Sequence, residues 1–256
     1  MLKTSAAVLA VLAGASIASA ADVTVGPSTS PWLGYMNVFD TSFAYQWGSP
    51  WGVPDLVSVF DDANSKLTLK VNSINDPNPY WYTPSGGPGA AGNKVMDANT
   101  YVEVTDQYAG ETLTFSGEII SNNLAASHGA YVFIKDFAPD YSSFLSNVVP
   151  LPSSGTFSVT MQLDPGAGRH VQWGFEVIGP CVWITDSDQY GSVVIKTVAT
   201  NPCPADFNFD GFLDFTDFDD FVGAFEAGNS SSDFNGDGFL DFTDFDAFVA
   251  AFEAGC

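Results

Sequence analysis

The segment DFNFDGFLDFTDFDDFVGAFEAG, starting at Asp206, recurs 27 residues later as DFNGDGFLDFTDFDAFVAAFEAG, starting at Asp233, with 20 of 23 positions identical. A duplication this tight restricts residues 206 to 255 to two copies of one supersecondary unit, packed on each other because neither buries its apolar face alone. Counted from the first Asp of each copy, oxygen-bearing side chains fall at steps 1, 3, 5, 9 and 12, with Gly at step 6. In the first copy these are Asp206, Asn208, Asp210, Asp214 and Asp217 around Gly211; in the second, Asp233, Asn235, Asp237, Asp241 and Asp244 around Gly238. Calcium takes six to eight oxygen ligands, and a 12-residue loop supplies them at this spacing, with step 7 (Phe212 or Phe239) giving its backbone carbonyl. Four carboxylates in one short loop repel one another unless a cation neutralises them. An acidic, disordered tail has no reason to repeat a metal spacing with Gly in register, so two calcium ions are expected.

Each loop runs into a helix. Phe218, Phe221, Val222 and Phe225 are spaced i, i+3, i+4, i+7, and Phe245, Phe248, Val249 and Phe252 repeat them, which makes one apolar face per helix. Thr216 or Asp217 is the expected cap, and Gly228 stands at the expected C′ position. No helix enters either loop: Cys203-Pro204-Ala205 leads into the first and Gly228-Asn-Ser-Ser-Ser into the second. An EF-hand is helix–loop–helix, whereas this is loop–helix twice, an EF-hand-like motif without its first helix. In that layout, and in the D-x-N-x-D-G-x-x-D-x-x-D pattern of both copies, residues 203 to 256 resemble a dockerin.

The resemblance implies a calcium-dependent docking module that binds a cohesin-like protein and attaches an exported chain, often a polysaccharide-degrading one, to a scaffold or cell-surface component. Two departures separate this chain from the best-known pattern. Steps 10 and 11, which carry partner-contacting Ser-Thr-like pairs in many dockerins, are Phe215-Thr216 and Phe242-Thr243, and the module contains no Lys or Arg. Calcium binding therefore carries over more directly than cohesin binding, and a calcium-stabilised tag or spacer stays open. Paired-helix symmetry would bring the ends of such a module together. A Cys203–Cys256 disulfide is one expectation, worth roughly 3–4 kcal/mol to a small domain; two unpaired thiols are the alternative.

At the other end, Lys3, the apolar run Ala6 to Ile17 and Ala18-Ser19-Ala20 read as an export signal cleaved after Ala20. The run is too short for a lasting membrane span, so the protein is expected to be secreted or held at the cell surface, with no membrane insertion. Loss of the signal leaves 6 basic against 30 acidic residues, 13 of the acidic ones in residues 203 to 256. So few cations argue against nucleic-acid binding and against adhesion to an anionic membrane. Cys181, inside the apolar GPCVW stretch, is expected to be buried and inert.

Residues 21 to 199 change texture to short β-type runs divided by turn residues. Nine strands are expected, at 23–25, 56–60, 67–72, 100–105, 112–120, 130–136, 156–163, 171–178 and 192–198. Alternation such as Leu113 and Phe115 against Thr112, Thr114 and Ser116 puts one face in a core. The fold class is therefore mainly β: a β-sandwich followed by a small all-α calcium-binding module. The run LTFSGEI, YVFIKDF, FSVTMQL, VQWGFEVIG, SVVIKTV, over about residues 100 to 198, resembles jelly-roll, galactose-binding-like carbohydrate-binding modules, which implies a jelly-roll sandwich and a polysaccharide ligand.

Tyr80-Trp81-Tyr82 in DPNPYWYTPSGGPGAAG, and Trp47 and Trp51 around Gly-Ser-Pro, are candidate ligand-stacking residues, since sugar rings present flat C–H faces to aromatic rings. The alternative is that they plug one end of the sandwich; Trp32, Trp173 and Trp183 are expected in the core. Asp97, Asp136 and Asp140 are further candidates for a structural calcium. No catalytic kit is recognisable: His128 and His170 form no metal pair and read as loop or surface residues, and no G-x-S-x-G elbow occurs. A glycosidase needs two carboxylates facing one bond, and the larger module offers Glu103, Glu111, Glu118 and Glu176 as glutamates. Three readings follow: a non-catalytic glycan- or surface-binding protein anchored by the docking module, a polysaccharide-degrading enzyme delivered by it, and a structural surface protein.

Overall fold

The structure is a computed structural model that describes residues 20–198, 203–208 and 213–255. The chain divides into two compact units between Val198 and Ala199. The export segment and most of the joint at 199–204 lie outside the described residues.

The first unit is built on twelve strands of four or more residues among those described: β1 Ala20–Thr24, β2 Trp32–Asp40, β3 Tyr45–Pro50, β4 Ser58–Asp61, β5 Lys66–Lys70, β6 Lys94–Thr105, β7 Thr112–Asn122, β8 Gly129–Phe137, β9 Phe144–Pro150, β10 Gly155–Gln162, β11 His170–Pro180 and β12 Ser192–Lys196. In one six-stranded sheet the order is β1-β7-β12-β5-β4, with β10 also on β7; in the other it is β9-β8-β11-β6-β2-β3. Pairing along the second sheet is antiparallel throughout. β1 is the exception in the first, running parallel to β7 with Ala20 opposite Thr112.

Period-2 alternation places the core. Leu113, Phe115 and Ile119 from β7, Phe157 and Val159 from β10, and Val193 and Ile195 from β12 face Val102, Ala130, Val132, Ile134, Val171, Trp173, Phe175 and Val177 from the second sheet. Each such side chain withdrawn from water contributes roughly 1.5–3 kcal/mol. Beyond the end of the first sheet the inner face of the second continues as Met36, Val38, Met96 and Ala98, covered by Leu56, Tyr82 and Cys181, with Trp47, Trp51, Trp81 and Trp183 packed around them. Two short ladders tie that cover down: Ser73–Ile74 beside Val182–Trp183, and Tyr82–Thr83 beside Ala91–Gly92.

All nine expected strand regions are strands, with ends shifted by a few residues, except that Val53–Leu56 is a 3₁₀ turn ahead of β4. β2, β3 and β9 were not foreseen. β2 is apolar or aromatic on both faces, β3 reads YQWGSP and β9 reads FLSNVVP, so neither alternation nor composition marks them as strands.

In the second unit, α1 spans Phe215–Glu226 and α2 spans Phe242–Ala254. Each starts one or two residues earlier than the expected cap. Asp214 and Asp241 are the N-caps, and Asp217 and Asp244 close reciprocal capping boxes. Gly228 follows α1 at φ 69°, and the bonds Gly228 N–H to Phe225 O and Asn229 N–H to Ala224 O finish the helix.

The ring contacts reveal an internal twofold. Phe221 stacks on its repeat mate Phe248 at 4.0 Å with planes 3° apart. The remaining pairs come as mates: Phe207–Phe221 and Phe234–Phe248 at 5.4 Å each, Phe218–Phe252 and Phe225–Phe245 at 6.0 Å each. Adding 27 to one member and subtracting it from the other turns the second pairing into itself. The axis therefore passes between Phe221 and Phe248, both fully buried with Ala205 and Cys203. Cys256 lies outside the described residues.

Candidate functional sites

The loop of the second repeat is described throughout. Asp233 accepts the Gly236 and Gly238 N–H groups through its two oxygens, each at 2.9 Å. Asn235 Oδ1 accepts the Asp237 N–H, and Asp237 Oδ1 accepts the Phe239 N–H. Asp244, fully buried at step 12, accepts the Asn235 N–H at 3.1 Å and the Asp241 N–H at 2.9 Å. Successive side chains thus bond backbone N–H groups of their own loop, and Asp241 accepts from the Thr243 hydroxyl and N–H. In the first loop Asp217 makes the equivalent bonds to the Asn208 and Asp214 N–H groups, and Asp206 is buried. Asp210, Gly211 and Phe212 lie outside the described residues. The donor set is all oxygen, which suits a hard cation and not a soft one. As placed, these oxygens serve backbone N–H groups, and among the described residues no three His, Cys, Asp or Glu side chains gather closely enough to hold a metal. Each carboxylate oxygen bonded to one N–H keeps a second lone pair.

The second unit also exposes large rings. Phe215 and Phe242, both step 10, are 79% and 77% exposed, as is Phe239 at 73%. Phe215 edges the ring cluster at Phe252, 6.3 Å away, and Phe242 at Phe225, 6.0 Å away, while most of each ring faces solvent.

In the first unit the predicted aromatic group is only partly a surface. Tyr82 is fully buried, its hydroxyl donating to Ile74 O at 2.6 Å and lying 2.8 Å from Val182 O; it is a core residue, and burial pushes its phenol well above the ordinary range. Trp47, Trp51 and Trp81 are half-buried and pack edge-on or tilted against one another. Tyr80 is the exposed member, bonded to Trp47 Nε1 at 2.8 Å with Lys94 Nζ 4.2 Å over its ring. The reason is parity: Trp47 is opposite Val38 on the inner side of β3, so this cluster closes the end of the sandwich.

The opposite parity of the second sheet gives a different surface. Tyr35 and Asn37 from β2, Asp97, Asn99, Tyr101 and Glu103 from β6, Gln172, Gly174 and Glu176 from β11, and Phe133 and Lys135 from β8 all point away from the core. Asn99, Tyr101, Gln172 and Phe133 are buried in the floor of this face, and the polar side chains form two hydrogen-bonded groups. Asn37 Nδ2 donates to Asp97 Oδ2 at 3.2 Å, Asn99 Nδ2 to Asp97 Oδ1 at 2.9 Å, and Lys135 Nζ to Asn99 Oδ1 at 2.7 Å and Glu176 Oε2 at 3.3 Å. Burial and then the Glu176 charge push the Asp97 carboxyl up to about 6. Further along, Gln172 donates to Glu103 at 2.5 Å and the Tyr141 hydroxyl to Glu103 at 2.9 Å, with Tyr141 stacked on His170 at 4.4 Å. Glycine makes room at two points. A Cβ on Gly174 would lie 2.2 Å from Thr100 O and 2.6 Å from Tyr101 Cα, and one on Gly48 would meet Asn37, Tyr35 and Tyr45 within 2.9 Å.

This face escaped sequence reasoning because its residues are spread over four strands, one of them unforeseen. The only signal was the mixture of polar and aromatic residues at outward positions of β6 and β11. The proposed Asp97, Asp136 and Asp140 group is not brought together. Asp136 is fully buried on the inner parity of β8, paired with Arg169 at 2.7 Å, while Asp97 faces outward and Asp140 sits in an exposed turn. His128, expected in a loop or at the surface, is a loop residue just ahead of β8 and is buried, with Nε2 3.0 Å from Pro180 O and Nδ1 3.0 Å from Ser127 Oγ. Cys181 is buried as expected, and burial pushes its thiol up to about 11.

No protein-family model and no curated protein sequence matches the chain. Three solved structures are similar to parts of it. The enzymatically active domain of tailspike protein 4 from bacteriophage CBA120 is 14% identical, with TM-score 0.28 over 53% of this chain and 19% of that one. The CBM22-1–GH10 modules of endo-1,4-β-D-xylanase 10B from Clostridium thermocellum, complexed with xylohexaose, are 10% identical, with TM-score 0.23 over 56% and 29%. Xylanase 10C from Cellvibrio japonicus, complexed with xylopentaose, is 14% identical, with TM-score 0.25 over 86% and 43%. The chain spans less than half the length of each, and at these scores the likeness carries no argument. No helix among the described residues is long and apolar enough to cross a membrane.

Proposed function

We propose that this chain is an exported, non-catalytic binding protein. Its jelly-roll-like sandwich grips a polysaccharide, and its dockerin-like C-terminal unit, ordered by two calcium ions and clasped by Cys203–Cys256, docks it to a cohesin-like protein or another cell-surface component. The single observation that carries the docking half is the twofold duplication of a loop–helix unit in which the step-12 Asp makes the same two backbone bonds in both copies. The exposed step-10 rings Phe215 and Phe242 supply the apolar anchors such docking needs. Support for the binding half is the outer face of the second sheet, where the half-buried Tyr35 offers a ring and Asn37, Asp97, Glu103 and Glu176 offer hydrogen-bonding groups over a floor of buried Asn99, Tyr101 and Gln172, a combination of ring and polar groups that suits sugar rings and their hydroxyls.

Affinity electrophoresis of the full chain through a panel of polysaccharides, run beside a reducing-end assay, tests the reading. Retardation without release of reducing ends is the expected result. Released ends would instead select a polysaccharide-degrading enzyme, and silence in both would leave a structural surface protein.

A further inference from the structure

Lys135 is the cation at the centre of the outer face of the second sheet, and its ammonium is already engaged. It donates to Asn99 Oδ1 and Glu176 Oε2 and lies 3.9 Å over the Phe133 ring. Its side chain is 14% exposed and that of Glu176 16%, so the pair is held close to the floor of the face. Around it stand Asp97 from β6 and, further along the same strand, Glu103. The oxygens of both accept bonds from neutral donors, Asn37 and Asn99 for Asp97, Gln172 and Tyr141 for Glu103. His170 beyond them is bonded to Thr105 at 2.9 Å. A ligand approaching this face therefore meets the half-buried Tyr35 ring and carboxylate oxygens with lone pairs to spare, while the Lys135 ammonium has two of its three donors bonded and sits over the buried Phe133 ring.

We propose that this face selects neutral saccharide chains, taken through their hydroxyl donors, and rejects uronate chains, with Glu176 acting as the specificity-determining residue that withholds Lys135 from anionic groups. The inference rests on the glycan-binding reading of the sandwich and adds the ligand class. A sugar carboxylate placed here gains no charge-assisted hydrogen bond, meets like charges and loses its hydration. A neutral hydroxyl donor meets acceptors on every side. Removing the Glu176 charge inverts the balance, because Lys135 then becomes a buried ammonium lacking its counter-ion.

The test is calorimetric titration of the full chain with neutral hexasaccharides (xylo-, cello- and manno-) and with oligogalacturonate at low ionic strength. The wild type is expected to bind one neutral series at least about tenfold more tightly than the uronate, the scale of one charge-assisted hydrogen bond. Glu176→Gln is expected to weaken the neutral ligand and to raise uronate affinity by about tenfold or more, and adding Lys135→Gln to abolish that gain. Uronate binding to the wild type as tight as neutral binding overturns the inference and leaves glycan binding standing. A folded Glu176→Gln chain with no gain for uronate overturns the role given to Glu176. Absence of binding in both ligand classes removes the glycan reading and the inference together. The wild-type comparison decides the ligand class even where the variant fails to fold.

Discussion

Asp97 is half-buried between Asn37 and Asn99 with the Glu176 carboxylate nearby, and its folded-state pKa of about 6 lies above the ordinary 3.8. The folded chain thus holds a proton on Asp97 that the unfolded chain releases. Stability from this group is fully present below the ordinary value and is lost as pH rises through about 6. Thermal melts of the full chain are expected to lose on the order of 2 kcal/mol between pH 4 and pH 7 from Asp97 alone, and Asp97→Asn to flatten that part of the slope. A variant whose pH profile overlays the wild type would show Asp97 to be ordinary. Tyr82 gives a second residue-scale prediction. Its hydroxyl bonds the backbone at Ile74 and Val182 from a fully buried position, so Tyr82→Phe leaves those acceptors unmet and is expected to cost about 1–3 kcal/mol. Glycan retardation should be unchanged; a loss of it in a stable Tyr82→Phe chain would return this residue to the ligand site.

At the scale of elements, the internal twofold makes a symmetric prediction. Phe221 and Phe248 occupy equivalent fully buried positions against each other, so Phe221→Ala and Phe248→Ala should each destabilise the second unit by about 3–5 kcal/mol, and by similar amounts. Chemical denaturation followed at the helical band measures both; markedly unequal losses would contradict the twofold packing. The two helices were legible in the sequence because their apolar period is strict and the copies agree. The expected cap, Thr216 or Asp217, lies two or three residues past the actual one because Asp214, Thr216 and Asp217 are all good cap formers in one short stretch, and only the reciprocal bonds between Asp214 and Asp217 separate them. Among the strands, those with one apolar and one polar face, such as β7 and β10, declared themselves. β2 did not, since Leu33, Tyr35 and Phe39 on its outer parity are as apolar as Met36 and Val38 on its inner one.

For the whole molecule, the sandwich-plus-helical-pair architecture was readable from the change of period near residue 200, but the outer face of the second sheet was not. Which residues share a face depends on strand register, and pairings such as Glu176 with Asn99 or Gln172 with Glu103 join positions more than 65 residues apart. The aromatic segment at 80–82 drew attention to one end of the sandwich for the same reason: a run of rings is visible locally, while the parity that turns Trp47 inward is not. The proposed calcium loops are the reverse case in sequence, since every candidate ligand position lies within 12 residues. The central claim is that two divalent ions organise the acidic duplication. Its most direct measurement is calorimetric titration of calcium into the chelator-treated full chain, followed by far-ultraviolet circular dichroism. Uptake of two ions per chain with dissociation constants between roughly 10⁻⁷ and 10⁻⁴ M, accompanied by a gain of helical signal, is the predicted result. No heat of binding, a stoichiometry far from two, or uptake with an unchanged spectrum would contradict it.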